Sequence, residues 1–279
     1  MDKYSPFGNT DFISFLKENP EFGGFLSGLD IPESFRNNKA IEEMIRTKAT
    51  TVISALYKDG VIIACDRRAT AIGEGFAMIM DPRVKKIGIL DKQLSCGISG
   101  VKFLGLYLLQ MMKIHFYNTL KKNDGTPLPF DTKVHMISAF LKELMPLAMQ
   151  GLVVVPIIAG YDAKRDKFRI FDMDPAGDKT EMTDLGYTLT GSGKSALGTT
   201  PETLVHCGWD PATSTKKETL NKIVYMLISA QWTDPASGCD ITRGIYPQVV
   251  DISRNGSREL PDEEVKKIYD SIITTIRKK

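Results

Sequence analysis

The chain has 279 residues, 42% of them apolar and 25% charged, the make-up of a globular protein long enough to bury a substantial core. With 36 Lys plus Arg against 34 Asp plus Glu, its net charge of +2 supplies no extended field for nucleic acid or an anionic membrane. The longest apolar run, residues 151–160, is too short for a bilayer and holds Pro156, and no basic stretch followed by an apolar core opens the chain, so neither a membrane span nor a secretion signal is expected.

Residues 1–49 differ from the rest. They hold six of the 13 phenylalanines and carry six basic against eight acidic residues, a charge of −2. The readings open for this segment are a disordered tail and, from Phe12, Phe15 and Leu16 at i, i+3, i+4, a short amphipathic helix that docks on a partner. From Thr50 the pattern switches to β-branched residues on both sides of an Asp-Gly turn, Thr50 to Tyr57 and Val61 to Asp66, which predicts a hairpin. Further strands are expected over residues 86–90 and 94–98, then helices over 101–120 and 132–149, the second interrupted at Pro146. Strands at 153–161, 167–172 and 186–190, helices at 201–207, 217–232 and 262–277, and a strand near 246–250 complete the order. This succession predicts antiparallel sheets with helices packed outside them.

The four cysteines form no Cys-x-x-Cys pair, and Cys65 and Cys96 lie inside apolar strands, which fits a reducing, cytoplasmic setting. None of the three histidines stands at ligand spacing from another His or Cys, so no metal and no cofactor is expected. The chemistry must then come from a side-chain nucleophile. A threonine hydroxyl is weak at neutral pH, but a threonine at a chain terminus has its own α-amine as a base. The doublet Thr50-Thr51 alone signals only β-propensity. Its context adds more: the hairpin return brings Asp66 back toward Thr50, and Val84-Lys-Lys-Ile87 opens the next strand, so Asp66 and Lys86 can pair at one sheet end beside the Thr50 hydroxyl.

Thr50-Thr-Val-Ile-Ser, Asp66-Arg-Arg-Ala-Thr70 and Val84-Lys-Lys-Ile87 together resemble catalytic β-type subunits of the bacterial 20S proteasome, the N-terminal threonine proteases. Gly97-Ile-Ser-Gly100, Met149-Gln-Gly-Leu, Ala159-Gly-Tyr-Asp162, Thr190-Gly-Ser-Gly193, Asp234-Pro-Ala-Ser-Gly238 and Arg243-Gly-Ile-Tyr-Pro247 follow in that family's order, and Asp11-Phe-Ile-Ser-Phe-Leu16 is similar to its propeptide. The resemblance implies a four-layer αββα sandwich of the N-terminal-nucleophile hydrolase type over residues 50–279, preceded by a removable propeptide, residues 1–49, cut at Ala49–Thr50. It implies Thr50 as nucleophile, Asp66 and Lys86 as the charged pair, Gly100 as oxyanion donor, and Ser192, Asp234 and Ser237 as the network around the amine. Ala69, Thr70, Val84, Ile98, Lys102 and Leu106 would line the substrate pocket. The implied partners are α-type subunits and other β subunits in stacked rings, a regulatory ATPase ring, and unfolded substrates, some tagged by a small ubiquitin-like protein.

Three features depart from the family pattern. Ala49 stands where Gly is common, Asp66 and Lys86 are about four residues further apart than usual, with the insertion assigned to Gly73-Glu-Gly75, and Lys102 replaces a small pocket residue. A lysine at that border is expected to favour cleavage after acidic residues. The rival readings are a non-catalytic ring subunit, which would be expected to lack Thr50, Asp66 or Lys86, and an N-terminal-nucleophile amidohydrolase acting on a small amide. Thr188-Leu-Thr-Gly-Ser-Gly-Lys-Ser195 also nearly completes a phosphate-binding P-loop, but Thr188 stands where the first glycine belongs.

Overall fold

A computed structural model describes residues 50–73, 76–149, 151–235 and 237–277, without the side chains of residues 71–73, 76–78 and 80. The expectations for residues 1–49, including Ala49 and the amphipathic segment, and for Glu74 and Gly75 lie outside the described residues.

The first hairpin pairs β1 (Thr51–Tyr57) with β2 (Gly60–Cys65), joined by Lys58 and Asp59. Both strands are apolar on both faces because both faces are covered: Val52 and Ile63 point to one side and Ile53 and Ile62 to the other, all fully buried. A ribbon follows, β3 (Ala69–Gly73) with β4 (Phe76–Asp81), then β5 (Ile87–Asp91) and β6 (Leu94–Gly100). Three helices come next, α1 (Lys102–Lys122), α2 (Phe130–Glu143) and the short α3 (Met145–Ala148). The helix expected over 132–149 is therefore two. Pro146 lacks the N–H that an interior position must donate, and it sits instead in the first turn of α3, where that N–H is not needed.

The second half contains β7 (Val154–Asp162), β8 (Lys167–Met173), β9 (Lys179–Glu181), β10 (Tyr187–Gly191), α4 (Ser192–Leu197), α5 (Thr200–His206), α6 (Lys216–Thr233), β11 (Gln248–Ser253), β12 (Gly256–Glu259) and α7 (Asp262–Arg277). Two antiparallel five-stranded sheets result, in the orders β10-β1-β2-β11-β12 and β5-β6-β7-β8-β9. Between them lies an apolar layer that includes Val52, Val61, Ile63, Ile157, Ile170, Val250 and Ile252. Burying side chains of this size contributes about 1.5–3 kcal/mol each, and truncating one such as Ile63 to Ala costs about 2–5 kcal/mol.

The helices cover the two outer faces. Leu104, Leu108, Met111 and Met112 recur at i, i+4, i+7, i+8 along α1 and pack with α2 on one sheet. Ile223, Val224 and Leu227 of α6 and Val265 and Tyr269 of α7 pack on the other. A capping box of Thr215 and Glu218 starts α6. The layers are thus helix, sheet, sheet, helix, the four-layer αββα sandwich that the resemblance implies. No helix among the described residues is long and apolar enough to cross a membrane.

Candidate active site

Antiparallel pairing gathers the chemistry at one end of both sheets. Thr50 immediately precedes β1, and because Val52 lies opposite Cys65, Asp66 emerges beside it. Thr51 lies opposite Gly191, so Ser192 at the start of α4 arrives from the other side. In the facing sheet, the Ile98 N–H donates to the Lys86 carbonyl at 2.9 Å, which sets Lys86 next to the end of β6 and Gly100.

The Lys86 ammonium lies 2.9 and 3.0 Å from the two Asp66 oxygens and also donates to the Arg68 carbonyl at 2.5 Å. Both side chains are buried, 5% and 3% exposed, so their charges depend on each other and on further donors. Asp66 has those donors: the Thr51 N–H at 2.8 Å and the Arg68 and Gly238 N–H groups at 3.1 Å. A carboxylate with this many donors is fixed in orientation.

Around Thr50 a second, hydroxyl-rich network forms. The Thr50 N–H donates to Ser192 Oγ at 3.3 Å, and Ser192 Oγ donates to Asp234 Oδ2 at 2.5 Å. Ser237 Oγ donates to the same oxygen at 2.7 Å and accepts from Thr51 Oγ1 at 2.8 Å. A Cβ on Gly191 would lie 1.9 Å from the Thr50 carbonyl oxygen, and one on Gly193 would lie 1.8 Å from Thr51 Oγ1. The Gly-Ser-Gly sequence thus lets a chain segment press against Thr50 and Thr51. It is a strand running straight into a short helix, and the close approach to β1 accounts for both glycines without a phosphate.

Gly100 has φ +96°, and a Cβ there would lie 2.2 Å from the Val153 carbonyl oxygen, so both backbone conformation and space exclude other residues. It borders a small cleft lined by Thr50, Ala69, Val84, Lys86, Ile98, Ser99, Gly100 and Lys102. Four of the six expected pocket residues are in that lining. Thr70 and Leu106 are not: Thr70 is wholly buried next to a register shift in β3, where consecutive side chains point to opposite faces, and half-buried Leu106 packs against the core one turn further along α1.

Gln248, which sequence reasoning passed over, belongs to the same assembly. Fully buried at the start of β11, it accepts the Lys86 and Ile87 N–H groups on Oε1, both at 3.0 Å, and donates to the Ile87 carbonyl at 3.0 Å. A glutamine opening the Gln-Val-Val run of an expected strand is the signal available. Cys65 and Cys239 lie close to the pair, but burial pushes the Cys65 thiol far up and the Cys239 thiol to about 12, so neither is a thiolate nucleophile. Among the described residues no group of three His, Cys, Asp or Glu side chains is placed to hold a metal ion.

Comparison with known proteins points one way. Residues 47–245 match the family model described as Proteasome subunit. A protein of Streptomyces griseus subsp. griseus named proteasome subunit beta is 31% identical over 271 residues, covering 95% of this chain and 88% of that one. Proteins of the same name from Nocardia farcinica and Frankia alni are each 33% identical, over 82% and 80% of this chain and 77% and 78% of theirs.

Proposed function

This chain belongs to the proteasome subunit family, and on that premise we propose that it is a threonine endopeptidase β subunit of a bacterial 20S particle, with Thr50 as nucleophile after removal of residues 1–49. The observation that carries the reading is the buried Lys86–Asp66 pair, whose lysine lines the same cleft as Thr50 at the start of the first strand. A non-catalytic ring subunit has no use for an ion pair buried beside a threonine, since replacing such a pair with apolar residues is often neutral or stabilising.

In the uncut chain the Thr50 nitrogen is an amide and donates to Ser192. Once the bond to Ala49 is broken it becomes an amine, whose ordinary value near 8 leaves it mostly protonated at neutral pH. The Lys86 ammonium lowers that value and eases loss of the hydroxyl proton, while Asp66 fixes the ammonium in place. The Thr50 oxygen then attacks a peptide carbonyl, the amine relays the proton to the leaving nitrogen, and water hydrolyses the ester. The Gly100 N–H serves the oxyanion, a contact whose loss costs on the order of 3–4 kcal/mol in comparable sites. Ser192, Asp234 and Ser237 orient the amine and its water.

The same hydroxyl performs the first cut. It attacks the Ala49 carbonyl, the acyl group moves from nitrogen to oxygen, and water opens the ester to free the amine. The match to the Streptomyces protein leaves only about 5% of this chain outside, too little to exclude the leader, which supports a shared N-terminal segment. The particle assembles from β rings and α-type rings. A separate ATPase ring feeds it unfolded chains, some tagged by a small ubiquitin-like protein, and it works in the cytoplasm. Peptide hydrolysis by assembled particles tests the reading: Thr50→Ala removes it, and turnover by Thr50→Ala particles would overturn it.

A further inference from the structure

Among the described residues that line the cleft, Lys102 is the one charged residue besides Lys86, and the structure shows where its charge goes. Its ammonium lies 3.0 Å from Asp81 Oδ2. The other Asp81 oxygen accepts the Arg83 N–H at 2.9 Å. That bond and the Lys102 ammonium hold the Asp81 carboxyl below its usual range, so it stays ionised at neutral pH.

Topology explains how an aspartate reaches this place. Asp81 ends β4 directly opposite Ala69, itself a wall of the cleft, and a register shift between Ala69 and Thr70 bends the ribbon there. The ribbon lies between Asp66 and Lys86 in the chain and spans Gly73-Glu-Gly75, the stretch to which the sequence assigns the extra residues. Lys102 is also the first residue of α1, where the helix dipole disfavours a cation, and the first turn of that helix holds no acidic residue. Asp81 supplies the missing anion from another element.

We propose that Asp81 is a specificity-determining residue: by taking up the charge of Lys102 it keeps the cleft from accepting acidic side chains at the residue before the cut bond. A substrate carboxylate would have to displace Asp81 from Lys102 and lie close to a like charge. A substrate cation would meet the Lys102 ammonium. An apolar side chain meets Ala69, Val84, Ile98 and the aliphatic stem of Lys102 without disturbing the pair. The expectation drawn from Lys102 alone, a preference for acidic residues, is thereby reversed by its partner.

The inference rests on the threonine-protease reading. Its test uses assembled particles of the full chain and fluorogenic peptides that differ only in leucine or glutamate before the cut bond. Asp81→Asn keeps an oxygen for the Arg83 N–H but removes the charge, and it should raise the glutamate-to-leucine ratio of kcat/KM by about fivefold or more. In Asp81→Asn combined with Lys102→Met the gain should vanish. A ratio within about twofold of wild type in Asp81→Asn, or a gain that survives in the double variant, would overturn the proposal. Leucine-peptide turnover by wild-type particles keeps the protease reading intact in either case; particles inert toward both peptides would remove that reading and the proposal with it.

Discussion

The molecule buries charge at both ends of β7, and the two clusters are built differently. At one end Val154 pairs with Gly100 beside the cleft, where a lysine and an aspartate are hidden next to Thr50. At the other end, about 26 Å away by strand rise, Asp162 joins Arg165, Arg169, Asp131 and Glu181. Arg169 is bidentate to Glu181 at 2.9 and 2.7 Å, reaches Asp131 at 2.6 Å and Asp162 at 3.1 Å, and lies over the rings of Phe130 and Phe171. Its fork is occupied on every side and holds β7, β8, β9 and α2 together. A guanidinium that never gives up its proton suits such a staple, whereas the compact Lys86 ammonium sits against an open cleft and a hydroxyl. Burial of charge does not by itself mark a catalytic site; an adjacent nucleophile and room for substrate do.

The two clusters should differ most at Lys86. Lys86→Ala in assembled particles should abolish peptide hydrolysis, and retention of more than about a tenth of wild-type turnover, a loss of only about 1.4 kcal/mol, would remove its assigned role. An effect of middle size is expected at Gln248. Gln248→Leu leaves the Lys86 and Ile87 N–H groups without their acceptor, so kcat should fall about tenfold with KM little changed. Equal kcat values for the variant and the wild type would show that the Lys86 backbone needs no such clamp.

The smallest effect on catalysis should come from the far cluster. Arg169→Ala should destabilise the fold by about 3–5 kcal/mol and leave kcat/KM of the assembled protein unchanged. Its pH dependence has a definite sign. Arg169 holds the Asp131 and Glu181 carboxyls below their usual range, so their contribution is present above that range, about pH 4, and is lost as pH falls through the lowered values. The stability gap between wild type and Arg169→Ala, measured by denaturant unfolding, should therefore shrink below about pH 4. A gap that widened in acid would assign the network's stability to something other than ionised carboxylates.

Most of the sandwich was legible in the sequence because its strands and helices are long and carry a clear period. The hairpin from Thr50 to Asp66 has apolar residues throughout and an Asp-Gly turn, and α1, α6 and α7 show helical spacing. What escaped was short or exposed. β9 has three residues, all exposed, and β12 has four, so neither has room for a period. The β3–β4 ribbon escapes as well: the sequence offers only a short insertion at Gly73-Glu-Gly75 there, and the contact of Asp81 with Lys102 depends on cross-strand register that no local pattern encodes. Gln248 was hidden for the same reason: its partners, Lys86 and Ile87, are 162 and 161 residues away in sequence. Family resemblance supplied Ser192, Asp234 and Ser237, which spacing alone could not have joined into one network.

In the proposed mechanism Thr50 becomes the N-terminus and then does the chemistry. Thr51 is the competitor in sequence, but its hydroxyl is taken up by Ser237 and its N–H by Asp66, while only Thr50 of the two lines the cleft. Intact-mass analysis of assembled particles decides between them. A mature chain beginning at Thr50 is predicted, with Thr50→Ala remaining full length and Ala49→Gly, which lacks a β-carbon beside the cut bond, maturing at least as fast. A mature N-terminus at Thr51, or normal trimming of Thr50→Ala, would contradict the account.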